Sequence, residues 1–216
     1  MAAFIFDMDG TIVDNMGFHL QSWLAFFARR GQQLDADAFF RETAGAQGRE
    51  ILRARLGEHL DDAELATLGD EKETLYRELY APHRRTLAGF DALAEGARAR
   101  GVRLAVATSA PPSNIAFTLD GIGIRDVFDT IVGAADVTRG KPHPDVFLKA
   151  AANLGADPRD CIVFEDAPLG VEAARRAGMR AVVLTTTLPR DAFADYDNVI
   201  AIAADYTELD LEELTS

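Results

Sequence analysis

Apolar and polar positions along this chain switch between two spacings. Residues 2–6 form an unbroken apolar run, long enough for one buried strand, and the run ends abruptly at Asp7-Met8-Asp9-Gly10-Thr11. From Leu20 the period lengthens: Leu20, Trp23, Leu24 and Phe27 recur as on one face of a helix, and Gly31 closes the segment. On that pattern Trp23 and the phenylalanines are core residues. Residues 35–80 read as short helices broken at Gly45, Gly48, Gly57 and Asp61-Asp62, with no strand pattern. Leu65, Leu68, Leu75 and Leu79 mark the apolar face of the last helix, and Glu73 and Arg77 form an i,i+4 pair on its solvated side. Pro82 disfavours helix at the residue before it and marks the exit from this block.

Beyond Pro82 the two spacings alternate regularly. Helices are expected at 90–100, 113–119, 144–154 and 168–177, strands at 102–107, 127–132, 162–164, 181–184 and 199–202, and a last helix at 207–214. Strand and helix in alternation imply a mostly parallel sheet wound on both faces. The helical block after the first strand interrupts that alternation as an insert. The expected division is an α/β core of residues 1–14 and 83–216 with a helical subdomain of residues 15–82.

The first strand delivers two carboxylates to the carboxyl edge of the sheet, where open α/β sheets place their chemistry. A lone Asp-Gly would more often mark a turn. A calcium loop wants glycine at its sixth position and glutamate at its twelfth, and Gly10 falls fourth. Three later strand ends add to the first. The second delivers Thr108 and Ser109, hydroxyls suited to phosphate oxygens, although a lone Thr-Ser there could be only a helix cap. A loop stiffened by glycine and prolines carries Lys141, and another strand ends in Glu165-Asp166. Together they put carboxylates, hydroxyls and one ammonium group around one crevice.

Composition narrows the ligand. With 35 acidic against 22 basic residues the formal charge is -13, which argues against nucleic acid as a partner. An anionic substrate would then have to be held by a metal ion or a few local cations. Hydrophobic residues at 48% and charged residues at 26% are ordinary for a globular domain. No apolar run reaches membrane-spanning length and the start lacks the features of a signal peptide, so a cytoplasmic protein without a membrane partner is expected. Cys161, the one cysteine, lies in an apolar run and reads as a buried inert thiol.

Asp7-Met8-Asp9-Gly10-Thr11, Thr108, Lys141 with its following prolines, and Glu165-Asp166 resemble the four ordered motifs of the haloacid dehalogenase superfamily. The resemblance covers essentially the whole chain. Its helical insert is similar to the cap of the branch containing β-phosphoglucomutase and phosphoglycolate phosphatase, and aspartate at position 9 favours members that transfer phosphate. The resemblance implies a Rossmann-like core and a phosphatase acting on a small phosphorylated metabolite through an aspartyl-phosphate. It implies Asp7 as nucleophile, Asp9 as acid and base, and Thr108, Ser109 and Lys141 on the phosphoryl group. Mg2+ would be held by Asp7, the Asp9 carbonyl and Asp166, with Glu165 nearby. His19 and Arg49 are the expected substrate contacts of the cap, and residues 10–15 its hinge.

A mutase remains an alternative, although Ala110-Pro111-Pro112 stands where similar β-phosphoglucomutases carry polar side chains for a second phosphate. A pyrophosphatase and a non-catalytic binder of phosphorylated ligands are further alternatives; keeping both Asp7 and Asp9 counts against the binder. The substrate and the choice between monomer and weak homodimer stay open.

Overall fold

The computed structural model describes residues 2–43 and 46–215. The chain divides into two compact units, residues 1–14 with 85–216, and residues 15–84. The second crossing falls after Arg84 rather than at Pro82. The last long helix runs directly into a 3-10 turn, Ala81–His83, and Pro82 stands in the first turn of that element, where its missing amide hydrogen disrupts nothing.

Among the described residues of the larger unit, six strands form one parallel sheet in the order β3-β2-β1-β4-β5-β6. They are β1 (Ala3–Phe6), β2 (Arg103–Ala107), β3 (Thr130–Val132), β4 (Cys161–Glu165), β5 (Arg180–Leu184) and β6 (Val199–Ala203). β1 is central and buried on both faces, so it reads as a continuous apolar run rather than an alternation. One face, with Ile5, Ala105 and Val163, packs against Phe147 and Val171. The other is aromatic: Phe6 stacks on Phe164 at 4.5 Å between ring centroids and meets Phe90 edge-on at 5.4 Å. The strand order reverses direction between β1 and β4, the switch point at which such sheets bind their ligands.

The smaller unit contains α1 (Met16–Ala28), α2 (Ala36–Thr43), α3 (Gly48–Leu56) and α4 (Asp62–Tyr80). Asp61 caps α4 by accepting from Ala63 N and Glu64 N, while Gly57 ends α3. Gly45, an expected break, lies outside the described residues. Trp23, Phe26, Phe27, Phe39, Leu52 and Leu65 make this unit's core. Leu79 departs from expectation, being 37% exposed. The buried stripe of α4 drifts through Lys72, Tyr76 and Tyr80, and Lys72 joins it because its stem is apolar and its ammonium finds partners.

Three later elements depart modestly from their expected extents. Residues 113–119, expected as one helix, divide between a short helix α6 (Pro112–Ile115), which follows the core helix α5 (Phe90–Ala99), and a π-helical turn, Ala116–Asp120. β3 is shorter than expected because Arg125–Val127 forms a 3-10 turn. The C-terminal helix begins only at Leu211, after a 3-10 turn at Tyr206–Glu208. The core also contains α7 (Asp145–Leu154) and α8 (Pro168–Arg176). No helix among the described residues is long and apolar enough to cross a membrane.

Candidate active site

The sheet register sets the site. Phe6 lies level with Val106 of β2 and Phe164 of β4, so Asp7, Thr108 and Glu165-Asp166 emerge from neighbouring strands at one edge. Asp7 N still donates to Phe164 O at 2.9 Å, and the chain then turns. Gly10 takes φ +79°, and its amide donates to Val13 O at 2.8 Å. A β-carbon at Gly10 would overlap the Asp166 carboxylate, so glycine is required here for its backbone angle and for space. Tyr206 Oη, buried among Phe6, Phe90 and Phe164, donates to Thr11 O at 3.2 Å and ties the turn to the core.

Lys141 crosses to this edge from its loop, where the Lys141-Pro142 peptide is cis. Its Nζ donates to Asp7 Oδ1 at 2.5 Å and to Glu165 Oε1 at 2.7 Å, and lies 5.0 Å from the Phe147 ring centroid. Glu165 Oε2 accepts from Asp166 N at 2.8 Å and Ala167 N at 2.9 Å. Both Glu165 oxygens are thereby engaged in holding Lys141 and the chain that leads into α8. Gly170, in the first turn of α8, makes room for that carboxylate, since a β-carbon there would overlap it.

All four groups are buried: Asp7 is 6% exposed, Glu165 1% and Asp166 3%, and the Lys141 side chain 6%. Three carboxylates thus surround one ammonium. Burial pushes Asp7 up to about 7; Lys141 opposes that shift, while the Glu165 and Asp9 charges reinforce it. Asp166 is raised well above the carboxylate range by burial and by the charges of Glu165 and Asp7. Burial by itself would lower Lys141, yet the facing charges and hydrogen bonds of Asp7 and Glu165 outweigh it and hold the ammonium above the ordinary lysine range.

Asp166 is gripped from two sides. Thr11 Oγ1 donates to Oδ1 at 3.2 Å, and Thr187 Oγ1 donates to Oδ2. Thr186 Oγ1 donates to Gly10 O. Sequence reasoning missed Thr186 and Thr187. Their trace in the sequence is the run Thr185-Thr186-Thr187 at the end of β5, one more strand end beside β4.

The remaining expected residues fall as follows. Thr108 is buried, and its Oγ1 accepts from Ala110 N at 3.1 Å, leaving the hydroxyl hydrogen available to an acceptor. Ser109 beside it is exposed. His19 and Arg49 belong to the smaller unit. His19 stacks on Tyr76 at 3.8 Å, with Nδ1 2.8 Å from Lys72 Nζ. Arg49, with its side chain 56% exposed, pairs with Asp62. Cys161 is buried, donates to Asp157 O at 3.3 Å and is pushed up to about 11 by burial, as suits an inert thiol.

The donors suit a hard dication. Asp7, Asp166 and the Asp9 carbonyl are all oxygen donors, and two carboxylates whose ionisation burial opposes are ones that a divalent ion would hold in the charged form. Among the described residues no cluster of three or more His, Cys, Asp or Glu side chains forms a ready metal cage. Magnesium needs none, since it is bound through one or two carboxylates with water and substrate oxygens completing its octahedron.

The chain as a whole is similar to known proteins. Residues 1–178 match the family model of the haloacid dehalogenase-like hydrolases. Protein CbbY of Rhodobacter capsulatus is 33% identical over 207 residues, covering 91% of each chain. The fructose-1-phosphate phosphatase YqaB of Escherichia coli is 34% identical over 181 residues, covering 84% of this chain and 95% of its own. Among solved structures, the β-phosphoglucomutase of Clostridium difficile superposes with a TM-score of 0.85 at 25% identity, covering 99% of this chain and 96% of that one. The buried aspartate, lysine and acidic pair at the strand ends therefore belong to an enzyme: the chain is a member of the haloacid dehalogenase-like hydrolase family.

Proposed function

We propose that the protein is a magnesium-dependent phosphatase of small phosphorylated metabolites, sugar phosphates foremost, and that it works through a phosphorylated Asp7. The observation that carries this reading is the buried Asp7 carboxylate at the end of β1, in contact with Lys141 and within the field of Asp166. Phosphoryl transfer needs little from a protein beyond alignment and charge stabilisation, and this cluster is built for both. Magnesium, held by Asp7, Asp166 and the Asp9 carbonyl, would neutralise phosphoryl charge and keep Asp7 ionised.

In this scheme an Asp7 carboxylate oxygen attacks phosphorus, the bond to the leaving oxygen breaks, and Asp9 gives that oxygen its proton. Asp9, now a base, takes a proton from water, whose oxygen attacks the phosphorus of the acyl phosphate. Phosphate leaves and Asp7 is restored. Lys141 holds Asp7 in place and faces the transferred oxygens, Thr108 and Ser109 donate to them, and Glu165 supports Lys141. The smaller unit, residues 15–84, acts as the cap that selects the substrate, with His19 and Arg49 as its polar contacts. The fructose 1-phosphate named for YqaB points to a phosphorylated sugar.

A mutase is the second reading, favoured by the likeness to the Clostridium difficile β-phosphoglucomutase. Against it, the turn after β2 offers Ala110-Pro111-Pro112 and no cation for a second phosphate. One experiment separates the two. The protein is incubated with Mg2+, β-glucose 1-phosphate and a trace of the bisphosphate, alongside fructose 1-phosphate and an aryl phosphate. Release of inorganic phosphate, lost on chelation and in Asp7→Asn, is the expected result. Rapid formation of glucose 6-phosphate with little free phosphate would make the protein a mutase, and no turnover across the panel would overturn the enzymatic reading.

A further inference from the structure

Lys141 donates to Asp7 and Glu165, whereas Asp166 is held by two hydroxyls from different parts of the chain. Thr11 Oγ1, in the turn after β1, takes Oδ1. Thr187 Oγ1, in the loop after β5, takes Oδ2. Rotating the carboxylate would break both bonds at once, so its plane is fixed by the two loops together. Each oxygen keeps a lone pair beyond the one its threonine uses.

The loop carrying Thr187 is itself anchored. Thr185 N donates to Ala203 O at 2.9 Å at the end of β6, and Leu188 packs on the core beneath the sheet. Thr186 Oγ1 donates to Gly10 O, which fixes the same loop to the turn that follows Asp9. The three groups meet closely: a β-carbon at Gly10 would overlap the Asp166 carboxylate and come within 2.9 Å of Thr187 Oγ1. Threonines in a turn usually bond their own local backbone. Here Thr186 and Thr187 both reach across to other strand ends.

We infer that Thr187, with Thr186 supporting it, is a positioning residue of the metal site, setting the orientation of Asp166 and through it the affinity for magnesium. This rests on the proposed placement of magnesium at Asp7 and Asp166. Outer partners of metal ligands contribute about 10- to 100-fold to affinity, and a neutral hydroxyl belongs at the lower end of that range.

The test is calorimetric titration of Mg2+ into the full-length protein and its Thr187→Val, Thr187→Ser and Asp166→Asn variants, with the melting temperature of each metal-free protein as a second readout. Valine keeps the shape and removes the hydroxyl, and serine restores it. The expected result is Mg2+ binding about tenfold weaker in Thr187→Val, near wild type in Thr187→Ser, and lost in Asp166→Asn, with metal-free melting of the Thr187 variants unchanged. Wild-type affinity in Thr187→Val beside lost binding in Asp166→Asn would overturn the role of Thr187 and leave the metal site standing. Wild-type affinity in Asp166→Asn would overturn the metal placement and this inference with it. Weak binding in both Thr187 variants together with lowered melting would make the loop merely structural and overturn the inference as well.

Discussion

Lys141 Nζ stands 2.5 Å from Asp7 Oδ1, although the two residues lie 134 positions apart in the chain. The same ammonium is 2.7 Å from Glu165 Oε1, so one cation serves two buried carboxylates. Replacing Lys141 with methionine keeps the apolar stem and removes the charge. Two carboxylates are then left uncompensated, and removing one partner of a buried ion pair costs about 3–5 kcal/mol. Urea denaturation of Lys141→Met is expected to show a loss of that size, with phosphatase turnover reduced at least as severely as binding. Wild-type stability and activity would refute the assignment.

Gly10 is the second sensitive point. Its φ of +79° disfavours any side chain, and a β-carbon would overlap the Asp166 carboxylate. Adopting that backbone region costs a non-glycine residue roughly 1–2 kcal/mol before the overlap is relieved. Gly10→Ala is therefore expected to lower the melting temperature modestly and to reduce kcat by well over tenfold with all the acids present, because relief displaces Asp166. An unchanged kcat at saturating Mg2+ would show that the turn does not control the acids.

Metal and pH act on the same groups. The Asp7 carboxyl is raised from 3.8 to about 7 in the fold, first by burial. Its folded value lies above its unfolded one, so the stability linked to it is complete below pH 3.8 and is lost as the pH rises through about 7. Asp166, also raised, acts in the same direction. Metal binding requires the deprotonated forms. The metal-free protein should melt lower at pH 8 than at pH 6, and Mg2+ should raise the melting temperature more at pH 8. Equal shifts at the two pH values would contradict the coupling.

The acids were legible in the sequence because each pair ends an apolar run, and a charge after a buried strand has few places to go except the sheet edge, while Lys141 stood out only by its place between Gly140 and Pro142 on a stiffened loop. The parallel order of the strands follows from the same alternation. Thr186 and Thr187 were not legible. A threonine run after Leu184 fits a strand end, a turn or a cap equally well, and only the pairing of β4 with β5 brings it to Asp166. Lys72 was hidden for the opposite reason. A lysine on a helix reads as solvated, yet its stem joins the buried stripe of α4 while its ammonium meets Glu73 at 2.9 Å, His19 at 2.8 Å and the face of Trp23.

The central claim is that Asp7 carries the phosphoryl group during turnover, and trapping that state tests it most directly. The enzyme, turning over a phosphate-labelled sugar phosphate with Mg2+, is quenched in acid and digested. Label is predicted on the peptide containing Asp7, released by hydroxylamine as an acyl phosphate requires, and absent from Asp7→Asn. Steady turnover with no labelled protein, or with label on a peptide that lacks Asp7, would contradict the account.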